Sequence, residues 1–571
     1  MMRITWETSR AGGASQNHLR KRVAFIIRLS AAGLAVLVLS SLLNQSNLAF
    51  SAAGGPLQRP TSQPGNSSAL VREAASLLEA GRLEEAEATA RRAVAGQPRN
   101  TAARSVLGAI LDQRGLANEA ETEYREALRL DPNSTVALTN LGVLLVRTGK
   151  GDEAVTTFER VLRLAPGHAQ ATFNLGALYA ARKEYGRAIP LLERVAGVDK
   201  GLAPTNDIAL MVTLGNAYAK VNRDKDAAKI FDAIESRAGA DPRILFTLAL
   251  SVADAGDYDR AARLFGRTNA LRPDTYEVLY NLGIALYNLD RLDEARNTLQ
   301  RAATLAPEQP EVFYRLGLVA SAQGESENAL GLMQRAVKIR TVYPEAHFMM
   351  AEELVKNGRI SRALPFYEQA IQEAPAEAVY QIRLGVAHFR SRAYAKAEET
   401  FRTALARFPD SPVLYYLLGY TARAEGLYDE AVKAFNRSLE LQPNNAAALS
   451  NLGFIAAERG QDIEAEKLLR HAITLEPENY PAHYDLGRLL VRLRRYSEAL
   501  PILERGSTMA KDDPGVHYQL FITYSRLKRK DDADRELAQF KTLEEARKQR
   551  DGGMSEKDEL PPPKLNSNAP E

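Results

Sequence analysis

Seven histidines, one Gly-Lys pair and a large stock of carboxylates are the residues with which this sequence could do chemistry. The histidines are His18, His168, His347, His388, His471, His483 and His517. A zinc peptidase would set two of them four apart on one helix face with a glutamate between, but no HExxH occurs. Gly149-Lys150 glances at a phosphate-binding loop, where glycine N–H groups cradle phosphates and the lysine reaches them. That loop requires another glycine where Leu144 stands and a Ser or Thr where Gly151 stands, so both ends of the motif are missing. There is no GxSxG nucleophile turn and no GxGxxG with an acidic residue at the dinucleotide distance. The carboxylates fall mostly on solvated helix faces, with no isolated pair suited to acid–base work. The expectation is therefore no enzyme, no cofactor and no metal.

Composition narrows the classes further. Lys and Arg number 74 against 71 Asp and Glu, a net charge of +3 that demands neither nucleic acid nor an acidic surface as partner. Cysteine is absent, which removes disulfides, thiolate metal sites and cysteine nucleophiles together and suits an oxidising compartment. The hydrophobic fraction of 45% supplies ample material for a core.

What the chain does contain is a repeat. NLGVLLVRTGKGDEA, NLGIALYNLDRLDEA and NLGFIAAERGQDIEA begin at Asn140, Asn281 and Asn451. Stepping by 34 from the glycine of NLG marks Ala74, Gly108, Gly142 and Gly176. After a five-residue slip the register resumes at Gly215, Ala249, Gly283, Gly317, Ala351, Gly385, Gly419, Gly453, Gly487 and Phe521. An alanine follows each of these fourteen marks by twelve residues, from Ala86 to Ala533, and a fixed period of this kind signals a repeat architecture.

Each unit holds two apolar stripes of helical spacing, such as Leu279, Leu282 and Leu286, then Ala295, Leu299 and Ala302. The small marked residues are expected where the two helices, A and B, cross with their backbones close. Seven residues past the mark stand Gly81, Gly115, Gly149, Gly256, Gly324, Gly358, Gly426 and Gly460, suited to a left-handed cap ending helix A. Prolines such as Pro132, Pro307 and Pro443 stop helix B, and Pro310, Pro344, Pro412 and Pro514 open the next helix A. Gly149 is thus expected to be a cap and Gly142 a crossing residue, which makes the phosphate-loop lookalike architecture.

With these letters in place, LYNLGIALYNLDRLDEARNTLQRAATLAP and ATFNLGALYAARKEYGRAIPLLERVAGV resemble the tetratricopeptide repeat family. The resemblance implies an all-α, right-handed superhelical solenoid of about 14 helix-turn-helix units with a C-terminal capping helix, over residues 69–547. It also implies that the A helices line a concave groove which holds extended peptides or partner segments. The groove residues implied are the aromatic members of position five, Phe173, Phe246, Tyr280, Tyr314, Phe348, Tyr416, Tyr484 and Tyr518. To them are added the amides Asn140, Asn174 and Asn281 and the terminal cations Arg488, Arg492 and Arg526. Asn451 shares the amide position. The family's carboxylate-clamping members place Lys at position five, and no unit here does. His347, His483 and His517 share one repeat position, expected to pack between helices. Glu73 in the first unit and the charged LEEARKQR in the last read as solvating caps, and GLAPTND at the slip reads as a kink or a binding loop.

The flanks differ in kind. Arg3, Arg10, Arg20, Lys21, Arg22 and Arg28 precede the apolar run LSAAGLAVLVLSSLL, so residues 1–51 read as a signal peptide or membrane anchor, with 23–43 as the attaching stretch. Residues 52–68 read as a flexible Pro/Gly/Ser linker and 551–571 as a disordered tail. The sequence thus predicts an exported, non-catalytic scaffold of the periplasm or cell envelope that binds proteins or peptides and no nucleic acid. The alternative is a recruiting or regulatory subunit of an envelope enzyme complex whose catalysis lies on another chain.

Overall fold

The computed structural model describes residues 66–197 and 207–551. The expected signal or anchor, nearly all of the expected linker, the GLAPTN stretch of the slip and the tail beyond Asp551 lie outside the described residues. Every described element is a helix, and the helices alternate strictly as A and B partners in antiparallel pairs. The first pair is Asn66–Glu79 with Leu83–Gly96, and the last is Pro514–Arg526 with Lys530–Asp551. The chain divides into two compact units at Pro307/Glu308. The N-terminal unit ends with the pair Tyr276–Asn288 and Leu292–Leu305, and the C-terminal unit begins with Pro310–Ala322 and Ser326–Ile339.

The marked glycines explain the pairing. A Cβ built on any of ten of them, Gly108 to Gly487, would lie within 3.0 Å of the side chain sixteen residues on. That side chain is Tyr124 opposite Gly108, Phe158 opposite Gly142, Phe401 opposite Gly385 and Leu503 opposite Gly487. The expected approach of two backbones is thus refined. The glycine is a hole on helix A, and a large apolar knob from helix B fills it. Tyr124, Phe158, Phe401 and Phe435 are all buried as a result. The conserved spacing to alanine serves the same crossing, since the carbonyls of Ala329 and Ala431 face Gly317 and Gly419.

Every pair ends helix A the same way. The eight glycines seven residues past the mark all have positive φ, between 71° and 87°. The other six units place Lys183, Asn222, Asp290, Arg392, Arg494 and Lys528 there, at φ of 59–63°. The turn geometry is therefore invariant while the residue is not, and each side chain in that region carries a steric cost of about 1 kcal/mol. Helix A begins on side-chain caps in many units: Asn100, Ser134, Asp207, Ser411 and Asn445 each accept a backbone N–H of the first turn. His168 does the same through Nδ1, 3.3 Å from the Ala171 nitrogen.

The two layers are not equivalent. Within each unit, helix A of a pair touches its own B helix, the B helix before it and, at some steps, the neighbouring A helices. Pro412–Ala424 accordingly buries residues on most of its circumference, from Leu414 to Ala422, while its partner Tyr428–Leu441 buries one stripe of Ala431, Ala434, Phe435 and Ser438. In the C-terminal unit the core runs on from pair to pair, with Leu439 and Leu468 bordering both of its clusters. One pair could not bury this surface by itself, so neighbours complete each other's core.

Two substitutions test this account by urea unfolding. Gly385→Ala drives a methyl into the Phe401 ring and should cost on the order of 2 kcal/mol, with Phe401→Leu recovering part of the loss. Arg392→Gly, at φ 60°, should instead gain about 0.5–1 kcal/mol.

Candidate functional site

The candidate surface is the helix-A layer, and it is best built from the cations inward. Basic residues near the end of helix A reach back thirty residues to an acid of the preceding unit. Arg182 meets Asp152 at 2.8 Å, Arg223 meets Glu193 at 3.1 Å, Arg459 meets Asp429 at 2.6 Å and Arg492 meets Asp462 at 2.5 Å. The even charge balance of the sequence is therefore spent inside the array. Each exposed pair is worth at most about 1 kcal/mol.

Two of the three basic residues expected in a groove at the C-terminal end take part in such pairs. Arg488 is held by Glu458 at 2.8 Å, with Asp485 at 3.6 Å, and Arg492 also donates to the Ala457 carbonyl at 2.8 Å. Arg495 is shared between Glu466 and Glu498. Arg526 is exposed. The acidic middle is likewise paired, Glu311 with Arg340 and Glu352 with the Tyr367 hydroxyl.

The aromatic stripe splits into three kinds. Tyr314, Phe348 and Tyr416 are 5%, 6% and 6% exposed, so they are sealed within the array and not offered along a groove. Their position on helix A also abuts the knob of helix B. Phe348 lies 5.9 Å from the Tyr367 ring and 4.7 Å from Tyr380, Tyr416 lies 5.7 Å from Phe435, and Tyr314 packs on Tyr343 at 5.3 Å. Phe173, Phe246, Tyr280 and Tyr484 are half-buried. Of these, Phe246 meets Phe265 edge-on, Tyr280 stacks on Tyr276 and Tyr484 tilts against Tyr480. Tyr518 is 42% exposed beside Phe521 and Phe540 of the last pair.

The amides divide too. Asn281 and Asn451 turn their Nδ2 back to the carbonyl four residues earlier in their own helices, Glu277 and Ala447, both at 2.8 Å. Asn174 is buried with Nδ2 unpartnered, and Asn140 is half-buried. The shared histidine position packs as expected: His347 Nδ1 meets Glu373 at 2.9 Å, His483 Nδ1 meets the Asn479 carbonyl at 3.0 Å, and His517 bridges Glu536 and the Lys511 carbonyl.

Sequence reasoning missed one cluster on Pro412–Ala424, Ala446–Glu458 and Tyr480–Arg492. Arg423 and Arg488 stand over the Phe454 ring with guanidinium carbons 4.5 and 5.4 Å from its centroid. Asp485 is buried beneath them, and burial pushes its carboxyl up to about 6 against the opposing pull of Arg488 and Arg423. Asp485 occupies the amide position of NLG, which is the one signal that could have drawn attention to it.

Paired helices that repeat every 34 residues and complete one another's core define a helical-repeat solenoid. Models described as tetratricopeptide repeat match residues 71–135, 139–207, 412–445, 434–467 and 463–518. The matched stretches are thus tetratricopeptide repeats, and the described helices between them keep the same paired arrangement. The model of the cilia and flagella-associated protein 70 C-terminal domain matches residues 196–407. Among curated proteins compared with the chain, none matches. Solved structures similar to it include yeast Tom70, 17% identical over 76% of this chain and 96% of that one, with a TM-score of 0.36. The APC/C hetero-tetramer Cut9-Hcn1 is 15% identical over 80% and 96%, with a TM-score of 0.34. Naa15/Naa10 bound to HypK-THB is 14% identical over 83% and 99%, with a TM-score of 0.32.

The buried carboxylate sets a pH test. Because folding raises the Asp485 pKa from 3.8 to about 6, the folded state binds the extra proton. The contribution of Asp485 to stability is therefore most favourable below the unfolded value and falls as pH rises through the window between 3.8 and about 6. Asp485→Asn should remove this penalty. Hydrogen exchange in Tyr480–Arg492 should slow at pH 7.5, by an opening energy on the order of 2 kcal/mol, and should be unchanged at pH 3.5.

Proposed function

We propose that this chain is a non-catalytic scaffold that holds segments of partner proteins along its helix-A layer, and that it works in the cell envelope after export. The observation that carries the binding reading is the placement of Phe246, Tyr280, Tyr484 and Tyr518, large aromatic side chains left half-buried or exposed on the A helices. Rigid rings of this kind supply contact area at small entropic cost, and their hydroxyls can meet the polar backbone of an extended segment. The sealed Tyr314, Phe348 and Tyr416 hold the array in shape and are not part of the proposed contact surface. The export reading is supported by the basic and apolar pattern of residues 1–51. Among the described residues no helix is long and apolar enough to cross a membrane.

Two measurements test these readings. Tagged full-length chain should capture defined envelope proteins, and the quadruple change Phe246→Ala, Tyr280→Ala, Tyr484→Ala and Tyr518→Ala should lose them with helicity kept. Each ring at a binding centre is worth about 1–2 kcal/mol, and identical catches from the two proteins would sink the groove reading. For export, the chain should fractionate with the envelope, with or without its first 51 residues. Finding it unprocessed and free in the cell interior would refute that half.

A further inference from the structure

One cation left without an acid is Arg423. It is half-buried, on the last turn of Pro412–Ala424, and among the described residues its guanidinium makes no hydrogen bond and no ion pair. What it touches is aromatic: the Phe454 ring at 4.5 Å and the Tyr420 ring at 5.7 Å. Arg488 shows what is missing, because it leans on the same Phe454 ring yet is met by Glu458, thirty residues back. The residue thirty back from Arg423 is Ala393. Glu425, two residues on, does not serve either. Its carboxyl is raised by burial and by the Glu398 charge, so it lies with another acid. A partly desolvated guanidinium with a fork of unused donors costs free energy, and ring contacts offset only part of it.

The surroundings say what would fit. The Arg423 charge reaches Asp485 and Tyr416. The tyrosine hydroxyl receives Asn451 Nδ2 at 3.5 Å, and Asn451 is itself buried with Oδ1 unpartnered. A cationic guest would be repelled by Arg423 and Arg488 together. A carboxylate would take the planar donor fork, with the Phe454 face fixing the fork's tilt.

We propose that the helix-A face around Arg423 selects partner segments carrying an aspartate or glutamate side chain, which docks on the Arg423 guanidinium above Phe454. This rests on the helix-A layer being the binding surface, and it adds the chemistry of what is bound.

The probe is an array of random twelve-residue peptides that includes matched Glu/Gln pairs, read with the full-length chain at low salt. The wild-type chain should prefer the Glu member of bound pairs by about tenfold. Arg423→Gln should erase that preference while the number of bound peptides holds, and Arg423→Lys should restore part of it, which separates loss of charge from loss of fold. A wild-type chain indifferent to Glu against Gln, or a preference that survives Arg423→Gln, overturns the proposal. An array on which the quadruple aromatic variant binds as many peptides as wild type fails the underlying groove reading instead, whatever Arg423 does.

Discussion

The structure depends on one interaction repeated along the chain, a missing side chain on helix A filled by a large apolar side chain from helix B. A glycine there lets Phe158 or Phe401 press against bare backbone. The knob brings the two helices of a pair to a fixed distance and crossing. Fixing one pair fixes the face it shows the next, which is why the core can continue from Leu439 to Leu468 without a boundary. At Ala249 and Ala351, two of the four marks that are not glycine, the knobs Phe265 and Tyr367 are still buried. Small size, not glycine's backbone freedom, is what the crossing requires.

The same packing decides what remains for a partner. Position five of helix A abuts the knob, so its aromatic side chains are drawn into the array wherever knob and neighbour are both aromatic, as around Phe348 with Tyr367 and Tyr380. Charges are drawn in by a second periodicity, the thirty-residue reach from a helix-A end to the unit before. The surface left over includes half-buried rings such as Phe246, Tyr280 and Tyr484, Tyr518 on the last pair, and a guanidinium with an alanine where the acid of the periodic pairing would stand. In a solenoid, specificity accumulates where the repeat is broken, because the unbroken part satisfies itself.

The sequence by itself determined the number of pairs, their boundaries and the turns at the cap glycines, because these follow from local spacing, from small residues and from cap chemistry. It foresaw Gly149 as a cap and the histidine position as packing for the same reason. The left-handed turns at Lys183 and Arg392, whose residue types do not announce them, were seen only in the structure. Only the tertiary structure decided which members of the aromatic stripe are open, which arginines are neutralised, and that Asp485 is buried under two of them. Those outcomes depend on side chains of the partner helix and of neighbouring pairs, brought within a few ångströms by stacking. A period of 34 read along one chain shows that such neighbours exist, but not which of them meet.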